Sequence, residues 1–158
     1  MQTTLQKLIS LILISIGLFI VESFIKYYLI LNKIPKVGFY FFNLLQIGFF
    51  PNYNLAFGLP LPNVLIIILV AIILLFLCYL WWQNLIIQKN WNALGVSLII
   101  IGALSNLLDR LFFGYVIDYL NIFIWPVFNL ADTLIVIGVG IYLFEAIRYS
   151  KMNKLTNF

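Results

Sequence analysis

The chain has 158 residues, 65% hydrophobic and only 9% charged, whereas a soluble domain is about half apolar and a quarter charged, so the composition indicates a membrane protein. Its net charge of +4 comes from Lys and Arg residues spread along the chain without a basic run, which argues against nucleic-acid binding. His is absent and Cys78 is the one cysteine, which excludes Ser-His and Cys-His catalysis, an intramolecular disulfide, and zinc sites built on His or Cys pairs.

Four segments are apolar enough to cross a bilayer, which takes about 20 residues. We expect helices at about 8–28, 62–82, 91–112 and 129–149, within a single integral-membrane domain that covers residues 1–158. The first segment carries charges and no small-residue cleavage site follows it, so we expect a retained helix rather than a signal peptide.

Residues 32–61, between the first two helices, are too polar and too broken to span a membrane. We expect a small periplasmic, interfacial platform there, made of short strands and an amphipathic turn. The predicted fold class is therefore an all-α membrane protein with four transmembrane helices and this platform between helices 1 and 2.

An even number of spans places both termini and the 83–90 loop on one side of the membrane. The free loop cations on the opposite side are Lys33 and Lys36. The side with the termini holds more, namely Lys7, Lys89, Arg148, Lys151 and Lys154. The positive-inside rule therefore predicts that both termini are cytoplasmic.

Four of the five acidic residues are predicted to share one layer. At about 1.5 Å per residue, Glu22 lies roughly 22 Å along the first helix from Lys7. Asp109 and Asp132 lie roughly 27 and 24 Å from the far ends of their own helices. Asp118, in the connection between helices three and four, belongs to the same side. Since ionisable residues within a membrane are costly, this layer just beneath the outer surface indicates a functional site.

Asp118 and Asp132 are the candidates for chemistry. Two converging carboxylates share a proton, so one can act as a general base on water while the other protonates a carbonyl oxygen. The alternatives are structural: Asp132 is an N3 acid behind an Asn129 N-cap, and Asp118 is a loop acid that faces water.

The remaining charged residues of the layer favour structural roles. Asp109 is expected to brace the helix ends through Lys26 or backbone amides, and Arg110 to snorkel to the interface or to anchor one of the acids. Glu22 and Lys26, at i and i+4, predict an ion pair. Ser23 with Lys26 leaves open a serine-lysine peptidase.

The sequence leaves further alternatives open, for the Asn residues of one motif and for the class of protein. "NYNLAF" (52–57) offers Asn52 or Asn54 for binding a peptide backbone or for satisfying the turn after Pro51. A proton or ion transporter would place acids at several depths rather than one. A non-catalytic membrane scaffold would tolerate replacement of both Asp118 and Asp132.

With these residues considered together, the chain resembles the bacterial lipoprotein signal peptidases, or signal peptidase II. The strongest motifs are "NLLDRLFFGYVIDY" (106–119) and "FNLAD" (128–132). "NYNLAF" is similar to the family's Asn-x-Gly-x-Ala-Phe stretch, "ESFIK" (22–26) to its Asp-Gln-x-x-Lys, and "GALSN" (102–106) to its Gly-Ala-x-Gly-Asn. The likeness departs from the family pattern at Glu22 for Asp, Ser23 for Gln, Asn54 for Gly and Ser105 for Gly.

The resemblance implies an aspartic endopeptidase of the bacterial inner (cytoplasmic) membrane that cuts prolipoproteins just before a diacylglyceryl-modified cysteine. Asp118 and Asp132 correspond to its catalytic dyad, and globomycin is expected to block them. The supporting positions are Asn52, Asn106, Asp109, Arg110, Asn129 and Ala131, to which the same motifs add Asn54, Phe57, Glu22 and Lys26. We expect no cofactor or metal, and a monomer whose partners are the lipid-modified prolipoprotein and membrane lipids.

Overall fold

The computed structural model describes residues 4–32, 39–41, 45–55, 59–87, 90–122 and 124–156. Four long helices dominate it: α1 (Thr4–Leu31), α2 (Asn63–Ile86), α3 (Asn90–Phe113) and α4 (Leu130–Thr156). Three strands accompany them: β1 (Phe39–Phe41), β2 (Leu45–Asn52) and β3 (Val116–Asn121). The predicted class, four membrane helices with strands between the first two, is confirmed.

Each helix contains a stretch long and apolar enough to cross a membrane, in the ranges Ile9–Leu31, Asn63–Ile86, Asn90–Phe113 and Leu130–Tyr149. Many large apolar side chains of α1, α2 and α4 are exposed, as expected of surfaces that face lipid. The α3 span differs, because 39% of its most apolar window is buried. It packs against the three other helices and β3, so α3 is the centre of the bundle.

The strands form one antiparallel sheet in the order β1-β2-β3. The connection between α3 and α4 was expected to be a loop, but it supplies β3, which pairs with β2. The register sets Phe50 opposite Asp118 and Asn52 opposite Val116. The sheet therefore brings the end of β2 to the carboxylate on β3, although 66 residues separate Asn52 from Asp118.

The polar site lies at the end of the bundle where α3 ends and α4 begins. Lys33, Lys36, Lys89 and Phe57, which the sequence analysis used, lie outside the described residues.

Small residues let α3 and α4 approach closely. A Cβ atom added at Gly95 would lie 2.8 Å from the Gly138 carbonyl oxygen. One added at Gly102 would collide with the Ala131 carbonyl oxygen and lie 2.7 Å from Ile135 Cγ1. Close backbone contact through Gly and Ala is a usual way of packing membrane helices. It fixes the first turn of α4 against α3.

Gly102→Ala is expected to destabilise the fold by about 1–3 kcal/mol, because the new methyl group has to displace the backbone of α4. The matched control is Gly140→Ala, since nothing lies within 4 Å of a Cβ atom at Gly140. Thermal unfolding in detergent micelles should show a lower midpoint for Gly102→Ala only. Equal midpoints for the two variants would contradict the packing described.

Candidate active site

Two aspartates and three asparagines form one hydrogen-bonded group, called here the carboxylate–amide cluster: Asn52, Asn106, Asp118, Asn129 and Asp132. Asn129 Nδ2 donates to Asp118 Oδ1 at 3.0 Å and to Asn106 Oδ1 at 3.0 Å. Asn106 Nδ2 in turn donates to Asp132 Oδ1 at 2.8 Å. The two carboxylates are thus connected through two amide side chains, although they lie 14 positions apart in the sequence.

Asp132 also takes part in the cap of α4. Its backbone N–H donates to Asn129 Oδ1 at 2.8 Å, and its Oδ2 accepts the Asn129 N–H at 3.2 Å. This reciprocal pair is a capping box, in which the first orphan amides of a helix find side-chain acceptors. The predicted Asn129 cap is therefore confirmed. The capping interpretation and membership of the cluster do not exclude each other, because Asp132 uses a different oxygen for each.

Asp118 is almost completely enclosed, with 2% of its surface exposed. Its Oδ2 accepts a hydrogen bond from Asn52 Nδ2 at 2.9 Å, and its Oδ1 accepts one from Asn129. Burial, and then the nearby Asp132 carboxylate, raise the pKa of the Asp118 carboxyl to about 7, against the hydrogen bond from Asn52, which lowers it. A loop acid facing water, the structural alternative for Asp118, is wrong.

Lys26 is the cation behind the cluster. Its Nζ lies 3.0 Å from Glu22 Oε1 and 2.8 Å from Asp109 Oδ2, so the predicted pair with Glu22 is confirmed. The same Nζ donates to Ser105 Oγ at 3.0 Å and to Asn106 Oδ1 at 3.2 Å. Lys26 thereby joins α1 to α3 and reaches the cluster through Asn106.

Asp109 braces the end of α3, as expected. Besides its ion pair with Lys26, its Oδ2 accepts the Ile117 backbone N–H at 3.0 Å. That amide belongs to β3 and immediately precedes Asp118, so the brace fixes the strand that carries the carboxylate.

Arg110 behaves differently from either expectation. It is 6% exposed, so it does not snorkel, and its described hydrogen bonds go to no carboxylate. Its Nη2 donates to the Asn54 carbonyl at 2.6 Å, and its Nη1 lies 3.5 Å from the Tyr53 carbonyl. The physical reason is that the loop after β2 presents two neighbouring carbonyl oxygens, which a guanidinium with several donors can bind at once.

The loop after β2 is closed by its own side chain. The Asn54 N–H donates to Asn52 Oδ1 at 3.0 Å, a bond typical of an Asx turn. Asn52 therefore holds both this turn and Asp118. The Asn54 side chain is exposed and borders the cavity described next.

A cavity of about 440 Å³ opens beside the cluster. Asn52, Asn106, Asp118 and Asp132 line its polar end, together with Arg110 and Asn54. Apolar side chains of α2, α3 and α4 line the rest, including Ile66, Val70, Ala103, Ile135 and Val136. Ala131 lies beneath, completely buried. The site thus offers two carboxyl groups at the head of a largely apolar pocket.

Ser23 belongs to a different cavity. It lines a space of about 400 Å³ between α1 and α3, together with Phe19, Tyr27 and Phe112. The described hydrogen bonds of Lys26 go to Ser105 and Asn106 rather than to Ser23. These contacts give no support to the serine-lysine alternative. Among the described residues, no three His, Cys, Asp or Glu side chains are arranged to hold a metal ion.

Tyr119 is a residue of the site region that the sequence analysis did not identify. Its hydroxyl donates to Glu22 Oε2 at 2.5 Å and accepts the Leu130 N–H at 3.1 Å. Burial, and then the bond to Glu22, raise the pKa of the Tyr119 phenol. Because side chains alternate between the two faces of a strand, the position directly after Asp118 could have indicated a residue packed behind it. The partners of Tyr119, however, come from α1 and α4, which local patterns do not connect.

The fold and the site together define a multi-span membrane protein with a buried polar site at one end of its helix bundle. A solved bacterial membrane enzyme, determined by the in meso method at 2.3 Å resolution, superposes with a TM-score of 0.79 and 26% identity, covering 89% of each chain. The family model described as Signal peptidase (SPase) II matches residues 14–148.

Relatives of this chain carry the name lipoprotein signal peptidase. The protein of Wigglesworthia glossinidia brevipalpis is 32% identical over 139 residues, which are 84% of this chain and 91% of the relative. That of Halothermothrix orenii is 44% identical over 91 residues, but the match spans only 57% of this chain and 61% of the relative. The chain belongs to the signal peptidase II family, a family of proteases.

Lys26→Met is expected to destabilise the protein by about 3–5 kcal/mol, because Glu22 and Asp109 then remain buried without their cation. The control, Arg148→Met, removes the exposed partner of Glu145 and should change stability little. Unfolding by heat or denaturant in micelles measures both. Adding Glu22→Gln and Asp109→Asn to Lys26→Met should recover part of the loss. A Lys26→Met protein as stable as Arg148→Met would contradict this account.

Proposed function

We propose that this protein is an intramembrane aspartic endopeptidase. It removes the signal peptide of diacylglyceryl-modified prolipoproteins by cutting just before the lipidated cysteine. The substrate class follows from the family and from relatives named lipoprotein signal peptidase. The mechanism rests on the chemistry of the carboxylate–amide cluster.

One observation carries the proposal: two carboxyl groups from different elements border the same cavity and share their hydrogen-bond donors. Asn129 donates through Nδ2 to Asp118 and through its backbone N–H to Asp132. Carboxyl groups held this closely cannot both ionise at low cost, so the pair retains one proton. That is the state in which a dyad can act as base and acid at once.

The reaction then uses both members of the dyad. The ionised carboxylate takes a proton from water, whose oxygen attacks the carbonyl carbon of the scissile peptide, while the protonated member gives its proton to the carbonyl oxygen. In the second step the C–N bond breaks as the proton gained from water passes to the leaving amine, and the carbonyl reforms as a hydroxyl of the tetrahedral intermediate returns its proton to the other carboxylate. The protons are shared by the pair, so neither Asp118 nor Asp132 has a fixed role.

The cavity supports a lipid-linked peptide as substrate. Its polar end, at Asn52, Arg110 and the dyad, suits a peptide backbone, which needs hydrogen-bond partners once it leaves water. Its apolar remainder is bounded by α2 and α4, helices whose outer faces meet lipid. A substrate anchored by acyl chains therefore reaches the dyad sideways from the bilayer, without crossing an aqueous phase.

The same reasoning extends to the arrangement in the cell. We infer a single peptidase domain in the bacterial inner (cytoplasmic) membrane, with both termini cytoplasmic and the cluster near the outer leaflet. In this arrangement the enzyme works as a monomer among membrane lipids. Globomycin is expected to inhibit it by occupying the cavity beside Asp118 and Asp132.

Asp118→Asn and Asp132→Asn, made separately, are each expected to abolish cleavage of a lipidated prolipoprotein, because an amide can neither accept the proton of water nor exchange one with the substrate. The assay compares purified variants in micelles, with folding checked by thermal unfolding. Ser23→Ala is the control and should retain activity, since Ser23 lines the other cavity. Full activity of either Asn variant would refute the dyad.

The pH profile of kcat should fall as the pH rises through about 7, the value to which the pKa of Asp118 is raised, because the pair then loses its shared proton and no longer holds an acid. Because the bond from Asn52 lowers this pKa, Asn52→Ala should move the falling limb to higher pH. Both profiles are measured at saturating substrate. A limb that Asn52→Ala leaves in place, or moves downward, would contradict the assigned cause.

A further inference from the structure

Tyr119 and Asp118 are neighbours on β3, and their side chains leave opposite faces of the strand. Asp118 borders the cavity, whereas Tyr119 is not among the cavity's lining residues. Tyr119 is 3% exposed, and its hydroxyl lies between α1 and the start of α4. It therefore contacts the architecture behind the dyad rather than the reacting groups.

The hydroxyl satisfies one particular amide. The first N–H groups of a helix lack intrahelical acceptors, and Leu130 is the first residue of α4. Its N–H donates to the Tyr119 hydroxyl at 3.1 Å, while the Asp132 N–H is accepted by Asn129. Leu130 lies between Asn129, which bridges the dyad, and Ala131, which packs on α3. Fixing Leu130 therefore fixes the turn from which both Asn129 and Asp132 project.

Glu22 holds the other side of the hydroxyl. One of its oxygens faces Lys26 at 3.0 Å, and the other accepts from Tyr119 at 2.5 Å. An aspartate at this position, which the family motif leads one to expect, is one methylene shorter, so from the same backbone its carboxylate would stand farther from both partners. Glu22 and Tyr119 therefore act as a matched pair in this chain.

We propose that Tyr119 is a positioning residue for the peptidase reaction, which orients the first turn of α4 through Leu130 and so sets how Asp132 stands relative to Asp118. Glu22 orients the Tyr119 hydroxyl for this contact. The inference rests on the proposed function and deepens it. It attributes the position of Asp132 relative to Asp118 to a contact on the face of β3 opposite to Asp118.

Tyr119→Phe tests the inference, since it removes only the hydroxyl. In a cleavage assay on a lipidated prolipoprotein, kcat should fall about tenfold or more, as expected when a catalytic group is slightly misplaced, and KM should stay within about twofold. Glu22→Asp should act in the same direction. The double variant should be little worse than Tyr119→Phe alone, because both changes break one contact.

The pH profile separates positioning from a merely structural role. Asp118 is faced by Asp132 from α4, by Lys26 from α1, and by Asp109 and Arg110 from α3. If the first turn of α4 loosens, Asp132 moves away from Asp118 and raises the pKa of Asp118 less. The falling limb of kcat should therefore shift to lower pH in Tyr119→Phe. A loss of active enzyme without repositioning would lower kcat and leave the limb in place, which would overturn the inference.

Tyr79→Phe is the matched control, since Tyr79 is exposed on α2, and it should cleave like the unmodified protein. Unchanged kcat in folded Tyr119→Phe, or a rise in KM alone, would also overturn the inference. If Tyr119→Phe does not fold, Glu22→Asp decides, and failure of both to fold would show a purely structural role. If neither the unmodified protein nor Tyr79→Phe cleaves, the proposed function itself fails.

Discussion

The ammonium group of Lys26 is the contact on which the polar end of the bundle depends. A charge within a membrane protein is tolerated when partners surround it, and Lys26 has two carboxylates, a hydroxyl and an amide oxygen within 3.2 Å. From Asp109 the connection continues to the Ile117 amide and so to β3, and from Asn106 it continues to Asp132 and so to α4. The two series of contacts that support the two aspartates thus both begin at one cation on α1.

The start of α4 combines two tasks in the same residues. Asn129 caps the helix through Oδ1, and it donates through Nδ2 to Asp118 and through its backbone N–H to Asp132. Asp132 completes the capping box and lines the cavity. The close contact of Gly102 with the Ala131 carbonyl holds this turn against α3. Because helix cap, helix packing and dyad share a few residues, the carboxylates are held in place by the same contacts that begin the helix.

Interactions between residues close together in the sequence could be predicted, whereas contacts between distant segments could not. Hydropathy predicts the four helices because each needs a local apolar run, and spacing predicts the Glu22–Lys26 pair and the Asn129 cap because both lie within one helical turn or two. The pairing of β3 with β2 joins segments about 70 residues apart, which no local pattern specifies. The partners of Arg110 and Tyr119 depend on that pairing, so their contacts could not be predicted either.

The departures from the family pattern follow a physical logic once the contacts are known. Ser105, where the motif has Gly, supplies a hydroxyl to Lys26, and Glu22, where the motif has Asp, reaches both Lys26 and Tyr119. Both changes add polar contacts behind the cluster. Asn54 contributes its backbone to the turn and to Arg110, so the identity of its side chain matters little there. The departures at Glu22 and Ser105 thus lie in the support around one buried cation, while Asp118, Asp132 and the amides that connect them match the family pattern.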